Sequence, residues 1–218
     1  MPSQAEENYL KTIYHLSPES PGGVSTKDIA NSLSLSKASV TDMLMKLATN
    51  GYANYQKYKG VILTKKGELA ALRIVRRHRV WEVFLVKDLK FNWDEVHEVA
   101  EQLEHIVSPL LIERLDEFLG HPQFDPHGDP IPNDAGVLPI NTQIPLTDLA
   151  PGCAGVITSV GSEETLFLKY LDKLGAYIGA RIEVCEKIEF DGSLEISIDK
   201  KANQFISGAA AHNIMITE

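Results

Sequence analysis

Between Val96 and Val107 the chain reads Val-His-Glu-Val-Ala-Glu-Gln-Leu-Glu-His-Ile-Val, a run in which imidazoles and carboxylates recur at helical spacing. At about 100° per residue, His97, Glu101, Glu104 and His105 share an arc of roughly 100° on a helix. Val96, Val99, Ala100, Leu103 and Val107 fall on the other side, as a core stripe does. Nitrogen and oxygen donors gathered on one face form a ligand set for a divalent cation. A second pair, His78 and Glu82, stands four residues apart in what reads as the preceding helix. A solvated polar face is the bland alternative, and it would account for glutamates alone. Two histidines among them, with a second His/Glu pair upstream, favour metal.

Hydrolytic patterns fit less well. The inverted zinc-protease pattern His-x-x-Glu-His is broken at its first position by Glu101, and His-Glu-x-x-His is absent. Neither His97 nor His105 has a glutamate three residues before it, as di-iron helices require. There is no glycine-rich phosphate loop and no Gly-x-Ser-x-Gly elbow. The expectation is a protein that is not an enzyme and has no small-molecule substrate. Two alternatives stay open: a metal-binding hydrolase, and a helix-turn-helix regulator that senses a small molecule through its last third.

The elements that must position these residues fall into three parts. Ala5 to Leu16 reads as a helix with Tyr9, Leu10, Ile13 and Leu16 as its stripe, and Pro18 to Gly23 breaks it. Ser25 and Asp28 resemble a capping box that opens a helix of Ile29, Ala30 and Leu33. After Ser34-Leu35-Ser36, a third helix runs from Lys37 to Thr49 and stops at Gly51. Tyr52 to Gln56 and Val61 to Leu63 read as strands around a Lys57-Tyr58-Lys59-Gly60 turn. Helix, tight turn, helix and hairpin make a winged helix-turn-helix. Ser36, Lys37, Ser39, Thr41 and Asp42 stand at the start of the third helix, with side chains short enough to approach base edges and phosphates. Lys57 and Lys59 at the hairpin tip suit phosphates. The competing readings are helix capping by the serines and an ordinary solvated turn.

Thr64 opens a long helix from Lys65 to about Val86, and Asn92 is the expected cap of the ligand helix, which is read through to Val107. Ser108-Pro109 restarts a helix that Gly120 ends. Leu85, Phe84, Phe91, Leu110, Leu111, Leu115 and Phe118 are more apolar surface than one thin helical layer hides, so part of it is expected to meet a second copy. His121 to Ile144, with five prolines, reads as a linker. Beyond it, strands at Val156–Val160, Arg181–Ile188 and Leu194–Ile198 and a helix at Leu166–Leu174 suggest a small barrel. The expected class is α+β in three domains: a winged helix-turn-helix over 1–72, a helical metal-binding and dimerisation domain with its linker over 73–140, and an SH3-like small β-barrel over 145–218.

Charge agrees with this division. The net charge is −9, yet residues 1–80 carry 12 Lys and Arg against 6 Asp and Glu, whereas residues 81–140 carry 3 against 13. A basic module that meets a polyanion would thus precede an acidic one that gathers cations. The two cysteines, Cys153 and Cys185, form no disulfide framework. With no signal-peptide pattern and no long apolar run, a cytoplasmic protein without membrane contact is expected.

With those residues in place the chain resembles the diphtheria toxin repressor family, which includes iron-dependent and manganese-transport regulators. Glu-Asn-Tyr-Leu-Lys-Thr-Ile-Tyr, Ser-Lys-Ala-Ser-Val-Thr, Arg-Arg-His-Arg-Val-Trp-Glu, Val-His-Glu-Val-Ala-Glu-Gln-Leu-Glu-His and Pro-His-Gly-Asp-Pro-Ile-Pro stand in the family's order. The last third is similar to the SH3-like module of small ferrous-iron transport proteins. The resemblance implies a metal-activated homodimeric repressor that binds double-stranded palindromic operator DNA and controls metal-uptake genes. It implies a primary metal site of Asn8, Glu101, Glu104 and His105, and an ancillary one of His78, Glu82, His97 and Glu164, with Glu163 as the alternative to Glu164. The chain departs from the family pattern where Asn8 replaces Asp or Met, and where Lys11 replaces an acidic residue of manganese regulators and Phe167 an amide ligand of iron regulators; iron-type members place Cys where Glu101 stands. Carboxylate in place of thiolate favours Mn²⁺ over Fe²⁺, with Zn²⁺ or Co²⁺ able to bind in vitro.

Overall fold

The structure is a computed structural model that describes residues 2–140 and 142–217. The chain forms two compact units, one of Met1–His78, Glu104–Val107 and Pro132–Val137, the other of Arg79–Leu103, Ser108–Ile131 and Leu138–Glu218.

The first unit is a winged helix. Helix α1 (Gln4–Leu16) starts at a capping box in which the Ser3 hydroxyl accepts from the Glu6 N–H and Glu6 accepts from the Ser3 N–H. Helices α2 (Thr26–Ser32) and α3 (Lys37–Thr49) follow, joined by a turn in which Ser34 has φ 55. Ser25 and Ser36 cap them, each accepting from the N–H three residues on. Strands β1 (Ala53–Gln56) and β2 (Gly60–Leu63) pair antiparallel as the wing. Helix α4 (Lys65–Lys87) begins after Thr64, whose hydroxyl accepts from the Gly67 N–H. It gives the first unit its turns through His78 and the second unit the rest. Tyr9, Leu10, Ile13, Ile29, Val40, Leu44, Leu47, Val61 and Ile74 form the core, the apolar stripes of α1 to α4 closing on one another.

The second unit has a helical part and a sheet. Helices α5 (Val96–Leu103) and α6 (Pro109–Leu119) bury Val96, Ala100, Ile112 and Leu115 with Val80, Val83 and Leu85 of α4. Pro109 stands in the first turn of α6 and left-handed Gly120 ends it. Six antiparallel strands follow, in the order β3 (Ile144–Pro145), β8 (Ile214–Thr217), β4 (Ala154–Val160), β5 (Arg181–Lys187), β6 (Leu194–Ile198), β7 (Gln204–Ile206). Burial alternates along β6 and β8, so one face lines a single core of Ile157, Ile182, Val184, Ile196 and Ile216, closed by Leu168 and Leu171 of α7 (Thr165–Leu174). The short helix α8 (Gly208–His212) precedes β8. This is the SH3-like module.

Two expectations about elements fail. Asn92 does not cap the ligand helix, because residues 93–95 form a turn and α5 begins at Val96. The same helix ends at Leu103 rather than Val107, so Glu104 and His105 lie beyond it and not on its face. Tertiary contacts of those two side chains, described below, replace the helical continuation. The segment after Gly120 has few backbone ladder bonds, yet it is no free linker. Asp125 and His127 are buried in it, Arg79 Nη1 donates to the Pro130 carbonyl at 2.6 Å, and Val160 N–H donates to the His127 carbonyl at 3.0 Å. Gly128, at φ +84, is required there, because a Cβ would stand 1.8 Å from the Thr158 carbonyl oxygen.

Candidate metal centres

In the first unit α1 carries Glu7, Asn8 and Lys11, with Lys11 four residues after Glu7 and three after Asn8 and so on the same side of the helix as both. Two buried carboxylates meet there. Glu7 accepts from Arg77 Nη2 at 2.7 Å through one oxygen and from His105 Nδ1 at 2.8 Å through the other. Glu104 has no exposed side-chain surface, and its Oε2 accepts from Lys11 Nζ at 2.8 Å and from His78 Nδ1 at 2.7 Å. Arg77 Nε adds a bond to the Glu104 carbonyl at 2.5 Å. These bonds draw the residues after α5 out of helical register.

Three donor atoms are left over. Asn8 Oδ1 and Glu104 Oε1 are buried and have no hydrogen-bond partner among the described residues. His105 Nε2 lies 3.7 Å from Glu104 Oε1, too far for a hydrogen bond. Because Nδ1 donates to Glu7, the lone pair of the neutral ring is on Nε2. A carboxylate that orients an imidazole from behind is the usual second partner of a ligating histidine. Each buried orphan costs about 1–3 kcal/mol, so two together call for a missing partner. Burial pushes the Glu104 carboxyl up, but the His78 hydrogen bond and the Lys11 ammonium outweigh it and hold the group below its ordinary value. It is an anion ready for a cation.

The second unit holds another cluster. Glu82, Asp125 and His127 each offer a ligand atom within 4.8 Å of the others. His127 is fully buried, its Nε2 donates to the Trp93 carbonyl at 2.7 Å, and its Nδ1 has no hydrogen-bond partner among the described residues and faces Glu82 at 3.9 Å. In the neutral ring that bond leaves the lone pair on Nδ1, on the side of the carboxylate. Burial, then the Glu82 and Asp129 charges, push the Asp125 carboxyl well above the usual range, although Arg79 stands 3.3 Å away. That is the behaviour of carboxylates short of positive charge. On the same side, His97 Nδ1 lies 2.7 Å from Glu163 and 3.6 Å from Glu82, and these two partners push its pKa up to about 10.

The residues expected from sequence therefore divide. Asn8, His78, Glu104 and His105 lie in the first unit; Glu82, His97 and Glu101 lie in the second, with Glu101 Oε1 3.5 Å from His97 Nε2. Glu163 rather than Glu164 is the neighbour of His97. Glu164 is exposed at the start of α7, its N–H bonded to Ser162. Phe167 packs against the sheet core. Four participants went unassigned. Glu7 hid beside Asn8 as an ordinary first-turn acid. Lys11 read as a departure. Asp125 and His127 fall in the stretch read as a linker, where the Pro-His-Gly-Asp-Pro-Ile-Pro motif contains His127 and starts directly after Asp125.

Of the residues expected to meet nucleic acid, Ser36, Lys37, Ser39 and Asp42 are exposed at the start of α3, and so are Lys57 and Lys59 on the wing. Ser36 and Ser39 also serve the cap, and the half-buried Thr41 donates to the Lys37 carbonyl. Tyr58 at the tip is 94% exposed at φ 69, with Lys57 Nζ 5.3 Å over its ring.

A winged helix with cation donors in its own fold, followed by a helical unit and an SH3-like module, is the plan of a metal-responsive DNA-binding regulator. The family models for the iron dependent repressor match at residues 1–61 (N-terminal DNA binding domain) and 64–133 (metal binding and dimerisation domain), and a FeoA domain matches at 144–218. An uncharacterised HTH-type transcriptional regulator of Methanocaldococcus jannaschii is 37% identical over 54% of this chain and 94% of its own. The HTH-type transcriptional regulator MntR of Geobacillus thermodenitrificans is 36% identical over 57% and 87%. A solved manganese-dependent transcriptional repressor in complex with manganese is 37% identical, with a TM-score of 0.87, over 97% of this chain and 98% of that one. The chain belongs to the diphtheria toxin repressor family of metal-dependent transcriptional repressors.

Proposed function

We propose that the chain is a Mn²⁺-preferring homodimeric repressor that grips palindromic operator DNA in its metal-loaded form and controls metal-uptake genes in the cytoplasm. One observation carries this reading: Asn8 Oδ1, Glu104 Oε1 and His105 Nε2 are left as donors inside the unit that carries the recognition helix. The donors of both centres are oxygens and imidazole nitrogens with no thiolate, which suits Mn²⁺ or Fe²⁺. When bound, a divalent cation supplies positive charge shared among donors far apart in sequence. Asn8 is the donor that would tie α1 to the Glu104–His105 turn, and Glu101 is the fourth donor the family resemblance assigns. Glu82, Asp125, His127, His97 and Glu163 would hold a second ion. The three functional modules are 1–72, 73–140 and 145–218.

Ser36, Lys37, Ser39, Thr41 and Asp42 then read bases and phosphates, and Lys57 and Lys59 hold the backbone. Coupling between metal and DNA of about 1–3 kcal/mol corresponds to 5- to 150-fold in affinity. The test is fluorescence anisotropy on a palindromic duplex selected from a random pool with Mn²⁺-loaded protein. Affinity should fall at least fivefold when chelator replaces Mn²⁺. Glu104→Ala should lose that response, and Ser39→Ala should weaken DNA binding while Mn²⁺ uptake stays as it is. Equal affinity with Mn²⁺ and with chelator would end the proposal.

A further inference from the structure

The two oxygens of Glu104 keep different company. Oε1 has no hydrogen-bond partner among the described residues and looks toward His105 Nε2 at 3.7 Å. Oε2 is filled, by the Lys11 ammonium at 2.8 Å and the His78 ring N–H at 2.7 Å. The neighbouring carboxylate is balanced in the same way, Arg77 sitting on Glu7 at 2.7 Å. Two buried anions in this unit thus have two fixed organic cations before any ion arrives. A pair of divalent ions about 3.5–4 Å apart is commonly joined by a bridging carboxylate that gives one oxygen to each. Glu104 has one oxygen to give.

We infer that Lys11 is the resident counter-cation of the first-unit centre: its ammonium keeps one oxygen of Glu104, so the centre takes up a single divalent ion through the other and excludes a second. The inference rests on the metal-binding reading above. It deepens that reading by assigning to a side chain of α1 both the stoichiometry of the centre and the stability of the metal-free fold. Lys11 spans 93 residues of sequence to reach Glu104, and its side chain is only 12% exposed. A flexible four-carbon stem ordered in this way is held at a post, unlike a solvated surface lysine. A fixed cation changes a carboxylate's affinity for protons by about one to three powers of ten, and its affinity for a metal ion responds to the same field.

The experiment counts Mn²⁺ bound per full-length chain by equilibrium dialysis and records the electron paramagnetic resonance spectrum. K11E should take up one more Mn²⁺ per chain than wild type and display an exchange-coupled pair. K11R, which keeps the charge, should keep the wild-type count. K11Q should unfold at a lower temperature than wild type without metal, gain more from added Mn²⁺, and bind its first ion about tenfold tighter. A coupled pair in the wild-type chain overturns the inference, as does a K11E count equal to wild type or a K11Q midpoint unchanged without metal. A wild-type chain that takes up no Mn²⁺ overturns the metal reading itself. A wild-type chain that binds Mn²⁺ while K11E gains none sinks the inference alone.

Discussion

At the scale of single residues the first-unit centre depends on who faces each lone pair. His105 can present Nε2 only because Glu7 holds Nδ1, and Glu7 is in turn fixed by Arg77. Glu7→Gln keeps the shape but removes the charge, and an amide has one acceptor where the carboxylate used two. Losing such an outer partner costs metal affinity about 10- to 100-fold. Mn²⁺ titration followed through the free-ion resonance signal should show that loss. The apo protein should also melt earlier, because Arg77 becomes a largely buried charge without its partner, a defect worth about 3–5 kcal/mol. Unchanged Mn²⁺ affinity would remove Glu7 from any orienting role.

At the scale of elements, α6 carries the clearest unmet demand. Leu110 and Phe118, two turns apart on one face, are 62% and 67% exposed, and Phe84 of α4 packs edge-on against Phe118 at 6.3 Å. Burying such a side chain contributes about 1.5–3 kcal/mol, and a twofold interface counts it twice. Phe118→Asp should leave the monomer folded and convert the dimer to monomer in sedimentation equilibrium. A variant that still sediments as a dimer would place the interface elsewhere. The short elements of the winged helix were legible because their caps and stripes are local: Ser25, Ser36 and Thr64 write their own helix starts. The metal centres were legible only in part. Periodicity placed Glu104 and His105 on a helix, whereas long-range bonds to Lys11, His78 and Glu7 decide their position. The proline-rich run after Gly120 has no periodicity to betray that Asp125 and His127 are buried, since contacts from Arg79, Trp93 and Val160 order it.

At the scale of the whole molecule, charge is sorted along the chain. Residues 1–80 carry a balance of +6 within a total of −9 (12 Lys and Arg less 6 Asp and Glu). A protein that is acidic overall repels DNA at long range, so attraction has to come from a few cations at short range, inside the screening length of about 8–10 Å. Lys37 on α3 and Lys57 and Lys59 on the wing are exposed cations of that sort. Taking one cation away from a phosphate lowers the slope of log affinity against log salt by about 0.9, and a dimer carries each lysine twice. Lys57→Ala and Lys59→Ala should therefore each flatten the slope by about 2 while the preferred sequence stays the same. Ser39→Ala should do the reverse, altering sequence preference with little change in slope. Anisotropy titrations between 50 and 300 mM salt separate the two signatures. A slope that neither wing substitution changes would mean that the wing does not touch the backbone, leaving α3 to grip the phosphates by itself.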